Sequence, residues 1–146
     1  MKEFVTEARI ENLSAVQGFI AREMETRHCP AKLQTQIFLA AEEVFVNIAH
    51  YAYNRPAAPG GPRASRPPES GNVVIRVAVC DEVIIEFEDS GKPYNPLAKD
   101  DPDITLDAEK REVGGLGIYM VKKIMDAVKY RYEDNKNILM IKKRIA

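Results

Sequence analysis

Apolar residues recur at helical spacing in two stretches of the N-terminal half of the chain. In the first stretch, intervals of three and four residues separate most of the apolar positions, which are Leu13, Val16, Phe19, Ile20 and Met24. In the second, one face carries Leu33, Ile37, Ala40, Val44 and Ile48. This spacing predicts a helix capped by Asn12 or Ser14 and a second helix over residues 31–53. A weak alternation over residues 4–10 predicts a short strand before them.

The C-terminal half alternates as strands do and contains one further helical pattern. Residues 73–80 and 83–88 predict two strands joined by a turn at Asp81-Glu82. A helix is predicted from the glycines at 114–117 to about residue 127, and strands over 128–133 and 138–143 flank Asp134-Asn135. Together these elements predict an α/β (α+β) two-layer sandwich, in which about three helices cover a mixed, mostly antiparallel sheet of about five strands.

Two segments have no hydrophobic periodicity. Residues 54–71 contain five prolines and three glycines but no Val, Ile, Leu or Phe, so we expect a flexible loop that buries no core face. Residues 89–113 contain three prolines and many charged side chains. A long connection without periodicity inside a small domain is often functional.

Length and composition narrow the class of protein. The chain has 146 residues, which suits one domain, and its formal net charge is −1. A near-neutral chain has no global charge for binding nucleic acid or an anionic membrane, and no segment has the roughly 18 consecutive apolar residues of a membrane span. The charged start and the two cysteines favour a cytoplasmic protein with free thiols.

Three groups of residues could carry chemistry. Glu43 and Asn47 are four residues apart and share a helix face, where two oxygen donors could hold Mg²⁺ beside a phosphate. Asp89-Ser90-Gly91 follows an apolar strand, where the carboxylate could accept a hydrogen bond from an exocyclic amine. The alternatives are an ordinary polar helix face and a plain turn.

The glycine-rich segment 114–117 forms the third group. Glycines that lead into a helix leave backbone amides free at its positive end, which is an arrangement that can bind phosphate. No Gly-Lys-Ser/Thr follows, so the segment is not a P-loop. The alternative is an ordinary entry into a helix.

Together, and in this order, the three groups resemble the boxes of the Bergerat-fold (GHKL) ATPase superfamily, which includes histidine kinases, gyrase B and MutL. AAEEVFVNIAHYAY resembles the N-box, EFEDSGKPYNPL the G1 box and GGLGIYMVKKIMD the G2 box, and the resemblance covers residues 33–143. Within the superfamily the chain is most similar to the free-standing anti-sigma-factor serine kinases of the RsbW and SpoIIAB type.

The resemblance implies a role for several residues in binding ATP and Mg²⁺. Asn47 would ligate the Mg²⁺ that bridges the ATP phosphates, and Glu43 would be the general base for an attacking serine hydroxyl. Residues 95–113 would form the ATP lid. The nucleotide contacts would come from Asn47, Asp89, Gly91, Tyr94, Arg111, Gly115, Leu116 and Gly117.

At the base end, Asp89 would accept from the adenine amine and Gly91 would let the base approach the backbone. Related kinases carry a threonine in the last strand that holds adenine through a water, and Met140 is expected at the matching position. Near the γ-phosphate, Arg111 and Lys110 are the candidates for an arginine that some of these kinases use.

The function that the resemblance implies is an ATP-binding serine-protein kinase that phosphorylates a STAS-type anti-sigma-factor antagonist in a partner-switching system. A sigma factor or a PPM-type phosphatase regulator would be a further partner, and a homodimer is expected. The alternative is an ATP-gated protein-binding switch with little or no kinase activity. A detached histidine-kinase catalytic domain would need a separate pair of dimerisation helices.

Overall fold

The computed structural model describes residues 1–53, 71–98 and 115–145. The helices are α1 (Leu13–Thr26), α2 (Ala31–Tyr51) and α3 (Gly115–Ile124). The strands are β1 (Lys2–Glu7), β2 (Asn72–Val79), β3 (Glu82–Asp89), β4 (Ala127–Glu133) and β5 (Lys136–Arg144). Short 3₁₀ helices lie at Ile10–Asn12 and Pro96–Ala98.

The strands form one sheet in the order β1-β2-β3-β5-β4, and each of its four ladders is antiparallel. The β4–β5 hairpin turns at Asp134 and Asn135, whose φ angles of 52° and 62° suit the primed two-residue turns that match strand twist. The predicted two-layer α+β fold with five strands and three helices is therefore confirmed.

The core lies between one face of the sheet and the helices. In β2 and β3 every second residue is buried against them, for example Ile75, Ile85 and Phe87. The other face of the sheet is polar around Arg76, whose guanidinium reaches Glu3 at 2.9 Å and Glu88 at 3.3 Å. A sheet with one apolar and one charged face is covered by helices on the apolar face only.

Several element boundaries differ from the sequence predictions, including β1, which spans Lys2–Glu7 rather than residues 4–10, and α3, which ends at Ile124 rather than near residue 127. Helix α2 ends at Tyr51, and the turn after β2 is formed by residues 80–81. Strand β5 begins at Lys136, two residues earlier than predicted, which brings Asn137 into register with Asp89. Periodicity does not locate strand ends because their polar residues belong to the ladder without contributing to the apolar pattern.

Residues 54–70, which make up nearly all of the predicted loop, lie outside the described residues. In the parts of the chain that are described, no helix is both long and apolar enough to cross a bilayer.

Candidate functional site

A pocket opens where the C-terminal half of α2 meets the ends of β3 and β5. Its apolar wall comes from both layers and includes Val44, Ile48 and Leu139. Its polar lining residues are Asn47, Tyr51, Asp89, Lys92, Tyr94, Tyr130 and Asn137. An apolar wall with a few convergent polar groups is typical of a small-ligand site.

Asp89 is the last residue of β3 and lines the pocket. It continues the inward alternation of Ile85 and Phe87, so the ladder carries its side chain to the core face, where only 6% of the residue is exposed. Its Oδ1 accepts hydrogen bonds from Asn137 Nδ2 at 2.9 Å and from Gly91 N at 3.0 Å. Within the described chain Oδ2 receives no hydrogen bond, so it is available to a ligand donor.

The pKa of Asp89 reflects this burial. Desolvation raises the pKa of its carboxyl above the ordinary range, and the charge of Glu88 acts in the same direction. The hydrogen bonds from Asn137 and Gly91 lower the pKa and so partly oppose the effect of burial.

Asn137 was not identified by sequence reasoning. It lies opposite Asp89 in the β3–β5 ladder and is equally buried. Besides Asp89, its amide nitrogen donates to Lys92 O at 2.9 Å, and its Oδ1 accepts from Tyr94 N at 3.1 Å and from the Tyr130 hydroxyl. The inward alternation of Leu139 and Ile141 would have indicated this position if β5 had been extended to Lys136.

Gly91 is required by the packing of the protein backbone. A Cβ at this position would overlap the carbonyl oxygen of Ala52 and lie 2.6 Å from its carbonyl carbon. The next amide, Lys92 N, donates to the same carbonyl oxygen at 3.2 Å. The glycine therefore lets the turn after β3 lie directly on the end of α2, a role distinct from the expected approach of a base.

Two tyrosines near the end of α2 fix the mouth of the pocket. The Tyr94 ring stacks on Tyr51, with centroids 5.8 Å apart and planes inclined by 27°. The Tyr53 hydroxyl donates to Asn72 O at 2.6 Å and accepts from Ser90 N at 2.7 Å. The end of α2 is thereby tied to the start of β2 and the end of β3.

Glu43 lies one turn before Asn47 on α2, outside the pocket lining and against α3. A Cβ at Gly117 would overlap the Glu43 carboxylate and lie 3.0 Å from its Cδ, so the two helices meet at this pair. Burial raises the pKa of Glu43, and the charge of Glu42 adds to the effect. A raised pKa makes the carboxylate a stronger proton acceptor than an exposed glutamate.

The architecture agrees with comparisons with known proteins. The model of the histidine kinase-like ATPase domain family matches residues 6–143, nearly the whole chain. The chain belongs to this family. A comparison with curated proteins finds no match.

Solved structures share the fold of this ATPase domain at low sequence identity. The RsbU and RsbW domains of Rv1364c from Mycobacterium tuberculosis superpose with a TM-score of 0.63 at 11% identity, over 99% of this chain and 33% of that one. This chain thus spans about a third of that protein's structure.

Two histidine kinases are more distant. The histidine kinase domain of the blue-light activated kinase EL346 from Erythrobacter litoralis gives a TM-score of 0.48 at 17% identity, over 80% of this chain and 46% of that one. The histidine kinase AdeS from Acinetobacter baumannii gives a TM-score of 0.48 at 12% identity, over 99% of this chain and 69% of that one.

Several residues predicted for the ATPase site cannot be placed. Arg111, Lys110 and residues 99–113 of the predicted lid lie outside the described residues. Gly115 and Leu116 lie in the first turn of α3, and the structure describes only the backbone of these two residues. Gly117 is the one member of the predicted phosphate group whose surroundings are described, through its contact with Glu43.

Met140 does not occupy the position expected for the threonine of related kinases. It pairs with Glu86 and Lys129 on the face of the sheet away from the helices, and it does not line the pocket. Asn137, three residues earlier, is the residue of β5 that contacts Asp89. Side chains alternate between the two faces of a strand, and Met140 and Asn137 are three residues apart, so they point to opposite faces.

The donor set on α2 fits a hard cation better than a soft one. Asn47 offers a carboxamide oxygen and Glu43 a carboxylate one helical turn away, both suited to Mg²⁺. Across the described ranges, no group of three or more His, Cys, Asp and Glu side chains could hold a metal by itself. Magnesium commonly binds through one or two protein ligands together with substrate phosphates.

Proposed function

We propose that this domain is an ATP-binding serine-protein kinase and anti-sigma regulatory factor that phosphorylates a STAS-type antagonist in a partner-switching system. The observation that carries the proposal is the arrangement along α2. Asn47 lies in the pocket with Asp89, and Glu43 lies one turn before Asn47 on the same helix. One turn is about 5.4 Å, so the Mg²⁺-bound phosphates and a reacting hydroxyl could be served from a single rigid element.

The proposed orientation of ATP follows from the polar groups. Adenine enters the pocket so that its exocyclic amine donates to the free Oδ2 of Asp89, between the apolar wall and the Tyr51–Tyr94 stack. The phosphates extend along α2 toward the start of α3, whose N-terminal amides favour an anion. Asn47 would hold Mg²⁺, which neutralises phosphate charge when bound.

The proposed chemical step uses Glu43 as the base. The serine oxygen of the partner protein forms a bond to the γ-phosphorus while the bond from that phosphorus to the β,γ-bridging oxygen breaks. The hydroxyl proton passes to the Glu43 carboxylate, and ADP leaves with the bridging oxygen. The partly buried position of Glu43, which raises its pKa, favours this proton transfer.

The partner assignment rests on the structural neighbour that contains RsbU and RsbW domains, together with the resemblance of the three boxes to anti-sigma kinases. A sigma factor or a PPM-type phosphatase regulator is the proposed second partner, and the proposed working unit is a homodimer.

Nucleotide binding is tested by isothermal titration with ATP and ADP, with and without Mg²⁺. We expect ATP to bind more tightly with Mg²⁺ and Asn47→Ala to lose this gain. Gln36→Ala, a polar-to-alanine change on α2 outside the pocket, serves as the matched control and should bind as the wild type does. Absence of binding to the wild type at millimolar nucleotide would contradict the proposal.

Serine phosphorylation is tested by incubating the domain and [γ-³²P]ATP with each STAS-domain protein of the source genome. We expect acid-stable label on one serine of one protein, located by mass spectrometry and lost when that serine is replaced by alanine. Acid-labile label would indicate a histidine acceptor. ATP-dependent binding of a STAS protein without label would support the protein-binding switch.

A further inference from the structure

The geometry points to Asn137 as the positioning residue that holds Asp89 and the turn at residues 91–94 in the arrangement that receives the nucleotide base. The inference rests on the proposed ATP site and goes beyond it. It assigns to Asn137, on β5, a role in nucleotide affinity that is exerted through Asp89.

The carboxamide of Asn137 is saturated by its protein neighbours. Its nitrogen has two hydrogens, which are directed to Asp89 Oδ1 and Lys92 O, both at 2.9 Å. Its oxygen accepts two hydrogen bonds, from Tyr94 N at 3.1 Å and from the Tyr130 hydroxyl. No hydrogen-bonding capacity is left for a ligand, so Asn137 acts on the nucleotide through its neighbours.

The orientation of this amide is determined by its surroundings. A flip would place the amide oxygen against the carboxylate of Asp89 and the carbonyl of Lys92, and the NH₂ group against the Tyr94 N–H. Three of the four contacts would then be repulsive, and only the Tyr130 hydroxyl could adapt, by accepting instead of donating. A single orientation therefore directs one N–H to Asp89 Oδ1, and Oδ2 receives no hydrogen bond from the described residues.

Including a longer contact from its nitrogen to Gly91 O at 3.4 Å, the partners of Asn137 come from three separate segments. Asp89 ends β3, Lys92 and Tyr94 lie in the following turn, and Tyr130 belongs to β4. Tyr94 in turn stacks on Tyr51 at the pocket mouth. One buried side chain thus links the base-binding carboxylate to the aromatic residue beside it, and a smaller residue would leave both without this support.

The test compares Asn137→Ala, Tyr130→Phe and the control Met140→Thr with the wild type. Met140→Thr alters the same strand on the opposite face, away from the pocket. Each variant is first checked for a cooperative thermal transition, and its affinity for ADP with Mg²⁺ is then measured by isothermal titration from neutral to mildly acidic pH. ADP is used because the protein cannot transfer its phosphates to a partner.

For Asn137→Ala we expect about 10-fold weaker ADP binding at neutral pH, since a hydrogen bond to a charged group is lost and two backbone groups lose their partner. Tyr130→Phe should weaken binding by about 3-fold, because it removes one neutral hydrogen bond to the amide. Met140→Thr should bind ADP as the wild type does.

The pH dependence separates positioning from a merely structural role. The hydrogen bond from Asn137 lowers the pKa of Asp89, so its loss should move the acid-side decline in affinity to higher pH. The ionisable groups that face Asp89 are Glu88, Tyr53, Tyr130 and the Lys92 that lines the pocket. All four are unchanged in Asn137→Ala, and the titration of ADP itself is common to every variant.

A folded Asn137→Ala variant with wild-type affinity would overturn the inference while leaving the ATP site in place. Weaker binding without a shift along the pH axis would also overturn it, since Asn137 would then support only the fold. If Asn137→Ala does not fold, Tyr130→Phe decides by the same two criteria with smaller changes. Failure of the wild type to bind ADP would overturn the proposed function, and the inference with it.

Discussion

The two ends of the candidate site are built in different ways. At the base end, Asp89 and Asn137 face each other across a strand ladder, and hydrogen bonds from backbone and side chains hold the Asp89 carboxylate in place. At the proposed catalytic end, Glu43 lies where two helices meet, and its position depends on the missing side chain of Gly117.

In the proposed function this difference separates recognition of the nucleotide from the chemical step. A carboxylate that is fixed by hydrogen bonds suits the recognition of adenine, because the exocyclic amine of adenine donates its hydrogen bond in a fixed position. A carboxylate held by the packing of two helices, as Glu43 is against Gly117, can adjust to a reacting hydroxyl. Substitutions at the two ends should therefore change different measured quantities, namely nucleotide affinity at one end and turnover at the other.

The largest expected effect is at the catalytic end. Glu43→Gln keeps the shape of the side chain but removes the base, so phosphotransfer should fall by about 100-fold or more while ATP affinity is retained. Glu25→Gln, the same change at an exposed position of α1 outside the pocket, is the control and should leave turnover close to the wild-type value. Unaltered turnover in Glu43→Gln, measured with radiolabelled ATP, would contradict the assignment of the base.

Gly117→Ala should lower turnover by about 10- to 100-fold, because the added methyl group displaces the Glu43 carboxylate and small misplacements of a reacting group are costly. Gly18→Ala is the matched control, since a Cβ there meets nothing within 4 Å in α1. It should raise the free energy of unfolding by about 0.5–1 kcal/mol and leave turnover unchanged. Equal turnover in both variants would show that the helix contact does not position Glu43.

At the base end, Asp89→Asn should weaken ATP binding by about 10-fold, since the ligand amine loses a charged acceptor. In the wild type, affinity should decline as the pH falls through the raised pKa of Asp89, and the variant should lose this component of the pH dependence. Titration calorimetry at several pH values measures both effects. Glu86→Gln, on the outer face of β3, is the control.

The same variant should not destabilise the protein at neutral pH. The folded pKa of Asp89 is above its unfolded value, so the folded state binds more protons between the two values and stability decreases as the pH rises through that window. Asparagine avoids this cost and still offers an oxygen to Asn137 and Gly91. A large drop in melting temperature would show that the charge itself holds the turn.

The smallest effect on chemistry is expected for Gly91→Ala, which acts on the fold. The new methyl group meets the Ala52 backbone, which cannot move as a side-chain end can, so the free energy of unfolding should fall by about 1–3 kcal/mol. Denaturant titration against Gly18→Ala measures this difference. Wild-type stability with weaker ATP binding would instead favour the expected role in base approach.

Much of the fold could be predicted because periodicity reports which face of an element is buried. The apolar face of α2 and the inward alternation of β3 follow directly from their residues. The first residue of β5 could not be located in this way, because Asn137, near the start of this strand, is polar and yet faces inward. Met140 was expected to match the threonine of related kinases, but it lies three residues from Asn137. An odd number of residues along a strand leads to the opposite face, so Met140 faces away from the pocket.

The sequence by itself determined the order of the elements, the helix that carries Glu43 and Asn47, and the position of Asp89 after a buried strand. These features depend on local spacing along one segment. Only the tertiary structure decided that Asn137 contacts Asp89, that Gly91 serves the contact with Ala52, and that Gly117 makes room for Glu43. Each of these contacts joins segments that are far apart in the chain, and no pattern within a single segment encodes their distance.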